Sequence, residues 1–289
     1  MTSSPQAHTS TPFATPYRVS TITCNGSIGK NVKEVFLDTL FQHIPMVPMD
    51  SDEIGFIYMI DREGKETKGV SPRKEKRVHV KKNKEEDATK KRRFDNAISG
   101  YFQTKRGYYP SVKIFKNGTI QMTGVKKIED GVELNKQVFK VMKDLIDCVP
   151  EIVKETVLEC GEFHVRLINS DFSVPFHIRR KDLHQLLISD GYGNTSSFQP
   201  GTYPGVKLQY FWNPGMGKKD GRCYCSNKKC FGKGDGTGEG ECKKVTVSIF
   251  ESGKILITGA INFEQINHAY EYICKILQTH QSTLQKVVR

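Results

Sequence analysis

One eleven-residue pattern occurs twice in this chain, and it constrains the fold more than any other feature. Ile114-Phe115-Lys116-Asn117-Gly118-Thr119-Ile120-Gln121-Met122-Thr123-Gly124 matches Ile249-Phe250-Glu251-Ser252-Gly253-Lys254-Ile255-Leu256-Ile257-Thr258-Gly259 at Ile, Phe, Gly, Ile, Thr and Gly. Asn117-Gly118 is a strong hairpin signal, so strands are expected at 111–115 and 119–123. The second copy predicts a hairpin over 245–258. A helix-period run follows each copy. The first spans about 130–149, with Val132, Leu134, Val138, Val141, Met142 and Leu145 apolar; the second spans about 263–280. Upstream of the first hairpin lie a strand pattern at 17–23, a helix pattern at 31–44 built on Val32, Val35, Phe36, Leu40 and Phe41, and an apolar strand at 54–60. Upstream of the second lie a strand at 163–169, a helix at 175–188 and a strand at 206–211. The order predicts an α+β fold of two repeats. Each repeat offers a curved antiparallel sheet covered by helices on one face, and the other face is left without a helix, to meet solvent or a ligand.

Three stretches depart from this pattern. Residues 1–16 are rich in Ser, Thr and Pro and read as a disordered tail. Within a first repeat of 17–150, the stretch 64–108 carries basic runs at 71–77, 81–84 and 90–93 and reads as an insertion. Within a second repeat of 151–289, the Gly- and Lys-rich stretch 213–244 reads as another. The formal net charge of +12 favours an anionic partner, of which nucleic acid is the commonest. Lys81, Lys82, Lys90, Lys91, Arg92 and Arg93 fit a solvated loop, a DNA-tracking arm or a nuclear-import signal. No run approaches the roughly 18 to 20 apolar residues of a membrane span, and the N-terminus lacks the order of a signal peptide, so no membrane partner is expected.

Cys24, Cys148, Cys160 and Cys274 are scattered among hydrophobic segments and read as reduced core thiols. Cys223, Cys225, Cys230 and Cys242 instead crowd the second insertion. Four thiolates in one loop suit a tetrahedral structural zinc, and a Gly-rich loop with little apolar content has few other ways to hold a shape. Unligated thiols in a flexible loop are the alternative. No catalytic constellation is present: there is no His-Glu-x-x-His and no Gly-x-Ser-x-Gly, and His164, His177 and His184 sit in structural patterns. A non-enzymatic chain is expected.

The doubled hairpin resembles the "I-F-x-S-G-K-x-x-x-T-G-A" signature that occurs twice in TATA-box-binding proteins. The segment at 196–205, Ser-Ser-Phe-Gln-Pro-Gly-Thr-Tyr-Pro-Gly, resembles that family's "S-S-Y-E-P-E-L-F-P-G", and Val19-Ser20-Thr21-Ile22 resembles its first strand. The resemblance covers nearly all of 17–281 outside the two insertions. It implies a saddle of two pseudo-symmetric repeats forming one curved antiparallel sheet with helices on the convex face. It also implies a concave sheet that binds the minor groove of double-stranded DNA, with aromatic wedges that unstack base steps and bend the duplex. TATA-binding proteins are the standard example of this mode.

The resemblance also implies a set of DNA-facing residues. Phe115 and Phe250 retain two of the four wedge phenylalanines, Tyr203 stands at a third, and Ile54 falls at the fourth. In isolation, Phe115 and Phe250 could also be core residues. Val19, Thr21, Thr123, Leu256 and Thr258 share the same strand faces. Tyr17 falls at the first of the family's two central asparagines; for the second, Phe163, Arg166 or Leu167 lies in range, with Asn169 nearby, and Val165 is counted among the DNA-facing residues of the same strand. Lys113, Gln121 and Ser248 replace apolar groove-facing residues, and Gln199, Gly201 and Thr202 replace residues offered to a IIB-type factor. The implied role is a general transcription initiation factor whose partners are promoter DNA and the general factors or polymerase. A scaffold that kept the fold and lost specific DNA binding is the rival reading; TBP-like appendages of DNA glycosylases and ribonucleases H are another. Large loops fit a large DNA virus as well as a protist. Localisation is expected to be nuclear or, for a viral protein, in a cytoplasmic factory or the virion.

Overall fold

The computed structural model describes residues 13–30, 32–73, 96–105, 107–154, 157–226 and 230–287. The six basic residues singled out between Lys81 and Arg93 lie outside these. Two compact units form: Thr21–Arg166, called the first unit, and Leu167–Arg289 with Met1–Ser20, called the second.

The first unit's antiparallel sheet is built from β1 (Arg18–Ser27), β2 (Gly55–Ile60), β3 (Thr67–Gly69), β4 (Ala97–Gln103), β5 (Ser111–Phe115) and β6 (Thr119–Val125), with helices α1 (Leu37–His43) and α2 (Ile128–Cys148). Its strands run in the order β1, β6, β5, β4, β2, β3. The second unit is built from β7 (His164–Ser173), α3 (Arg180–Ile188), β8 (Thr195–Gln199), β9 (Tyr203–Trp212), β10 (Lys243–Ile249), β11 (Lys254–Ala260), α4 (Phe263–Thr279) and α5 (Gln281–Leu284). Its order is β7, β11, β10, β9, β8. Each unit's central strands therefore have the same neighbours.

The repeated residues do the same work in both units. Ile114 pairs with Ile120 and Ile249 with Ile255, and all four are fully buried. Gly118 and Gly253 turn the hairpins at φ of +77° and +80°, where a side chain would be strained. Gly124 and Gly259 hold φ of +98° and +92° at a register shift between the last strand and the first: Ile22 faces Val125 while Thr23 faces Thr123, and Ile168 faces Ala260 while Ser170 faces Ile257. The repeated Thr-Gly is thus a glycine bulge.

Helix boundaries move where tertiary hydrogen bonds claim the backbone. The helix expected over 31–44 shortens to α1, because the Val35 N–H donates to the Lys116 carbonyl at 2.7 Å and the Phe36 N–H to the Ile152 carbonyl at 2.8 Å. The expected helix over 175–188 begins at Arg180, since the Ile178 N–H donates to the Glu251 carbonyl at 2.8 Å. By contrast, α4 starts where expected. The Asn262 side chain accepts from the Gln265 N–H, and the Gln265 side chain accepts from the Ile261 N–H at 2.9 Å.

The basic stretch 64–108 contains sheet strands. In β4, buried Ile98, Gly100 and Phe102 alternate with half-buried Ser99 and Tyr101. Buried Gln103 then organises the turn ahead of β2: its Oε1 accepts from the Asp50 N–H at 2.8 Å, and its Nε2 donates to the Ser51 and Glu53 carbonyls, both at 2.8 Å. At the other end of the chain, residues 13–16 are held in place. The Thr15 N–H donates to the Ser173 carbonyl at 2.9 Å, and the Tyr270 hydroxyl donates to the Thr15 carbonyl at 3.0 Å. Replacing Gln103 by alanine removes the partner of one part-buried donor and two part-buried acceptors, at up to about 1–3 kcal/mol for a group left unsatisfied. Gln103→Ala is expected to lower stability by that order in chemical denaturation and to speed hydrogen exchange at Asp50.

Candidate nucleic-acid interface

In each unit, strand alternation buries one side chain in two under the helices and leaves the others on a face that, among the described residues, no helix covers. In the second unit the helix side carries Val206, Leu208, Val247, Ile249, Ile255 and Ile257, all fully buried. On the opposite face, register sets Asp171 beside Leu256, Leu256 beside Ser248, and Ser248 beside Lys207; Thr258 lies beside Thr246. Ser248 is itself buried, enclosed by its longer neighbours.

An aromatic pair stands at the end of this face. The Tyr203 and Phe250 rings lie 5.8 Å apart at an interplanar angle of 56°, both half-buried, with the Lys207 ammonium 4.1 Å from the Tyr203 centroid. Gly205 lies beneath them. A Cβ there would approach Tyr203 Cε1 to 2.9 Å and Phe250 Cε1 to 3.2 Å, so a larger residue would have to displace the rings from this arrangement. The hairpin itself is held by Glu251, which takes Lys286 at 2.5 Å and Arg180 at 2.7 Å. The Lys286 hydrogen bond and charge, then those of Arg180, hold the Glu251 carboxyl below its ordinary value.

The first unit has the same framework with different side chains. Val112, Ile114, Ile120 and Met122 are fully buried on the helix side, and the other face presents Lys113 beside Gln121, Ser111 beside Thr123, and Phe115 beside Ala97. Thr123 is exposed and takes a 3.5 Å hydrogen bond from Thr23, while the Thr21 hydroxyl accepts from the Gly124 N–H at 3.1 Å. Phe115 is half-buried.

Ile54 is not brought to Phe115. It precedes Gly55, which pairs with Gln103 at one end of β4, whereas Phe115 pairs with Ala97 at the other. Six residues of strand separate those ends, roughly 20 Å. Because Ile98 faces Ile114 as Val206 faces Ile249, β4 is the counterpart of β9, and the counterpart of Tyr203 falls at position 95, outside the described residues.

The first strands are less uniform. Tyr17 turns to the helix side: its hydroxyl donates to Asn267 Oδ1 at 2.6 Å, its ring meets Tyr270 edge-on at 5.5 Å, and burial raises its pKa. Arg18 instead pairs with Asp171 at 2.9 Å. Val19, Val165, Leu167 and Asn169 are half-buried, and the Asn169 Oδ1 is a buried acceptor without a partner. Asn25, set beside Gln121, has the same orphaned Oδ1. The sequence reading passed over Asn25, although it continues the Thr21, Thr23 alternation. It also passed over Tyr58 and Tyr101, whose rings lie 6.0 Å apart with the Arg73 guanidinium 5.1 Å from Tyr101.

The four clustered cysteines converge in the second unit. The Sγ atoms of Cys223, Cys225, Cys230 and Cys242 all lie within 4.8 Å of one another, with Cys225 to Cys242 at 3.5 Å and Cys242 to Cys223 at 3.8 Å. A tetrahedral zinc with Zn–S near 2.3 Å sets sulfur–sulfur edges of about 3.8 Å, whereas a disulfide needs about 2.0 Å. The spacing is that of metal ligands. Backbone and amide donors already point at the sulfurs: the Gly240 N–H reaches Cys225 at 3.1 Å and Asn213 Nδ2 reaches Cys242 at 3.3 Å. Such donors support thiolate charge in metal sites. The cluster can coordinate a metal ion and is consistent with structural zinc.

Residues 237–280 match the profile of the family described as transcription factor TFIID, or TATA-binding protein. The TATA-box-binding protein-like protein of Acanthamoeba polyphaga mimivirus is 28% identical over 178 residues, which is 60% of this chain. The likeness is to the TATA-binding proteins. The match spans 44% of the mimivirus protein's length. Methanococcus jannaschii TBP aligns over 91% of this chain and 98% of its own, with 15% identity and a TM-score of 0.47. The sequence likeness is to non-catalytic proteins and supports a non-enzymatic role. Among the described residues no helix is long and apolar enough to cross a membrane. Protein purified without chelator is expected to carry about one zinc per chain, lost in Cys242→Ser; metal analysis showing none in the parent contradicts the assignment.

Proposed function

We propose that this chain binds double-stranded DNA through the helix-free sheet faces of its two units, enters the minor groove, and bends the duplex at promoters as a general transcription initiation factor. The observation that carries this reading is the Tyr203–Phe250 pair, two rings held side by side at the end of an otherwise mixed polar and apolar face. A minor groove presents little hydrogen-bond information beyond A·T against G·C, so a protein that reads it depends on apolar contact and on how easily the DNA deforms. Half-exposed aromatic rings suit insertion at a base step; Thr123, Thr258 and Leu256 suit contact with the groove floor. The net charge of +12 suits the phosphates on either side. The sequence likeness to TATA-binding proteins supports the same function and the same class of partner, the transcription machinery. The proposed location follows the DNA: the nucleus or, for a viral protein, a cytoplasmic factory or the virion.

The test is selection of bound duplexes from a random pool at stated salt, followed by a bending measurement on the selected site. Phe250→Ala removes a ring that offsets an unstacking cost of a few kcal/mol per step, so affinity is expected to fall by at least about tenfold and the bend to shrink. Ile54→Ala is expected to change bending less. Parent-like binding and bending by well-folded Phe115→Ala and Phe250→Ala proteins would favour the interaction scaffold instead.

A further inference from the structure

Tyr203 and Phe250 sit on different chain segments, and one side chain that belongs to neither ties those segments together. Arg180 donates from Nη1 to the carbonyl of Pro204, next to Tyr203, and from Nη2 to Glu251, next to Phe250, at 2.7 Å. Its guanidinium also lies 5.4 Å from the centroid of Phe198, on the neighbouring strand β8. Helix stability does not account for this residue. Arg180 opens α3, flanked by Arg179 and Lys181, at the end of a helix where the dipole disfavours positive charge. Below the rings, Gly205 provides no side chain to prop them apart. Beyond the β9–β10 ladder, which ends at Val206 and Ile249, restraint comes from the guanidinium fork, whose planar donors fix both distance and direction.

We propose that Arg180 is a positioning residue, acting with Glu251, that presets the spacing and tilt of the Tyr203–Phe250 pair for insertion into DNA. The proposal rests on the DNA-binding reading. Preset rings lose less freedom when they bind, so the clamp acts on affinity and on bend angle together. It differs from a phosphate contact in a way that can be measured. As a phosphate contact, Arg180 could be replaced by lysine with little loss, and removing the Glu251 charge would tighten binding. As a positioning residue, it needs its fork, and Glu251 needs its oxygens.

The experiment compares the full-length parent with Arg180→Lys, Arg180→Ala and Glu251→Met, each checked by thermal unfolding. The readouts are ring-to-ring cross-peaks between Tyr203 and Phe250 in the free protein, and affinity, salt slope and bend angle on the selected duplex. Expected are parental cross-peaks that are lost in Arg180→Lys and Glu251→Met, binding about tenfold weaker in both, a smaller bend and an unchanged salt slope. Cross-peaks and bend retained in both variants would overturn the proposal. So would parent-like Arg180→Lys together with an Arg180→Ala slope lower by about 0.9, the mark of one lost phosphate contact. If one variant does not fold, the other carries the test through the same readouts. Should the parent bind no duplex, the DNA reading fails, while the cross-peaks of the free protein still decide the clamp.

Discussion

Each unit's sheet depends on a glycine bulge where its last strand meets its first. At Gly124 and Gly259 the chain takes a left-handed φ, and the register of the partner strand slips at that point. A side chain with a Cβ is strained there, and without the slip the outer residues of the last strand could not keep their face against both neighbours. Everything functional follows from that phase. Ile120, Met122, Ile255 and Ile257 go under the helices; Gln121, Thr123, Leu256 and Thr258 go to the open face.

With the phase set, the two units share the order of their central strands and differ in what their open faces display. The second unit ends its face in the Tyr203–Phe250 pair with Lys207 alongside. The first ends in Phe115 beside Ala97, and carries its other aromatics as Tyr58 and Tyr101, along β2 and β4. Equivalent positions hold Lys113 and Ser248, Gln121 and Leu256. At these positions the first unit's face is the more polar and the second unit's the more apolar.

Much of this is legible in the chain itself, because the hairpins combine a turn signal, alternation and an internal copy that keeps Ile, Phe, Gly, Ile, Thr and Gly in register. The four clustered cysteines are legible for a different reason: Cys223, Cys225 and Cys230 lie close enough in sequence for one loop to bring them together, and Cys242 immediately precedes β10. What was missed has physical causes. Strand β4 carries clear alternation from Ile98 to Phe102, but it lies between basic runs, and charge density hid a sheet strand within an apparent insertion. That error placed β2 where β4 belongs and put Ile54 in the position of a wedge. The family resemblance sets Tyr17 at a groove-facing asparagine position, whereas Asn267 and Tyr270 of α4 draw it to the other side. No sequence period reports such a partner 250 residues away.

The central claim is that the open faces read DNA from the minor groove, and base analogues test that most directly. An inosine·cytosine pair presents the minor-groove atoms of A·T and the major-groove acceptors of G·C. On the selected site, replacing every A·T pair with inosine·cytosine should leave affinity within about twofold and preserve the bend. If affinity instead falls to the level of the G·C-substituted duplex, the protein reads the major groove, and the account is wrong.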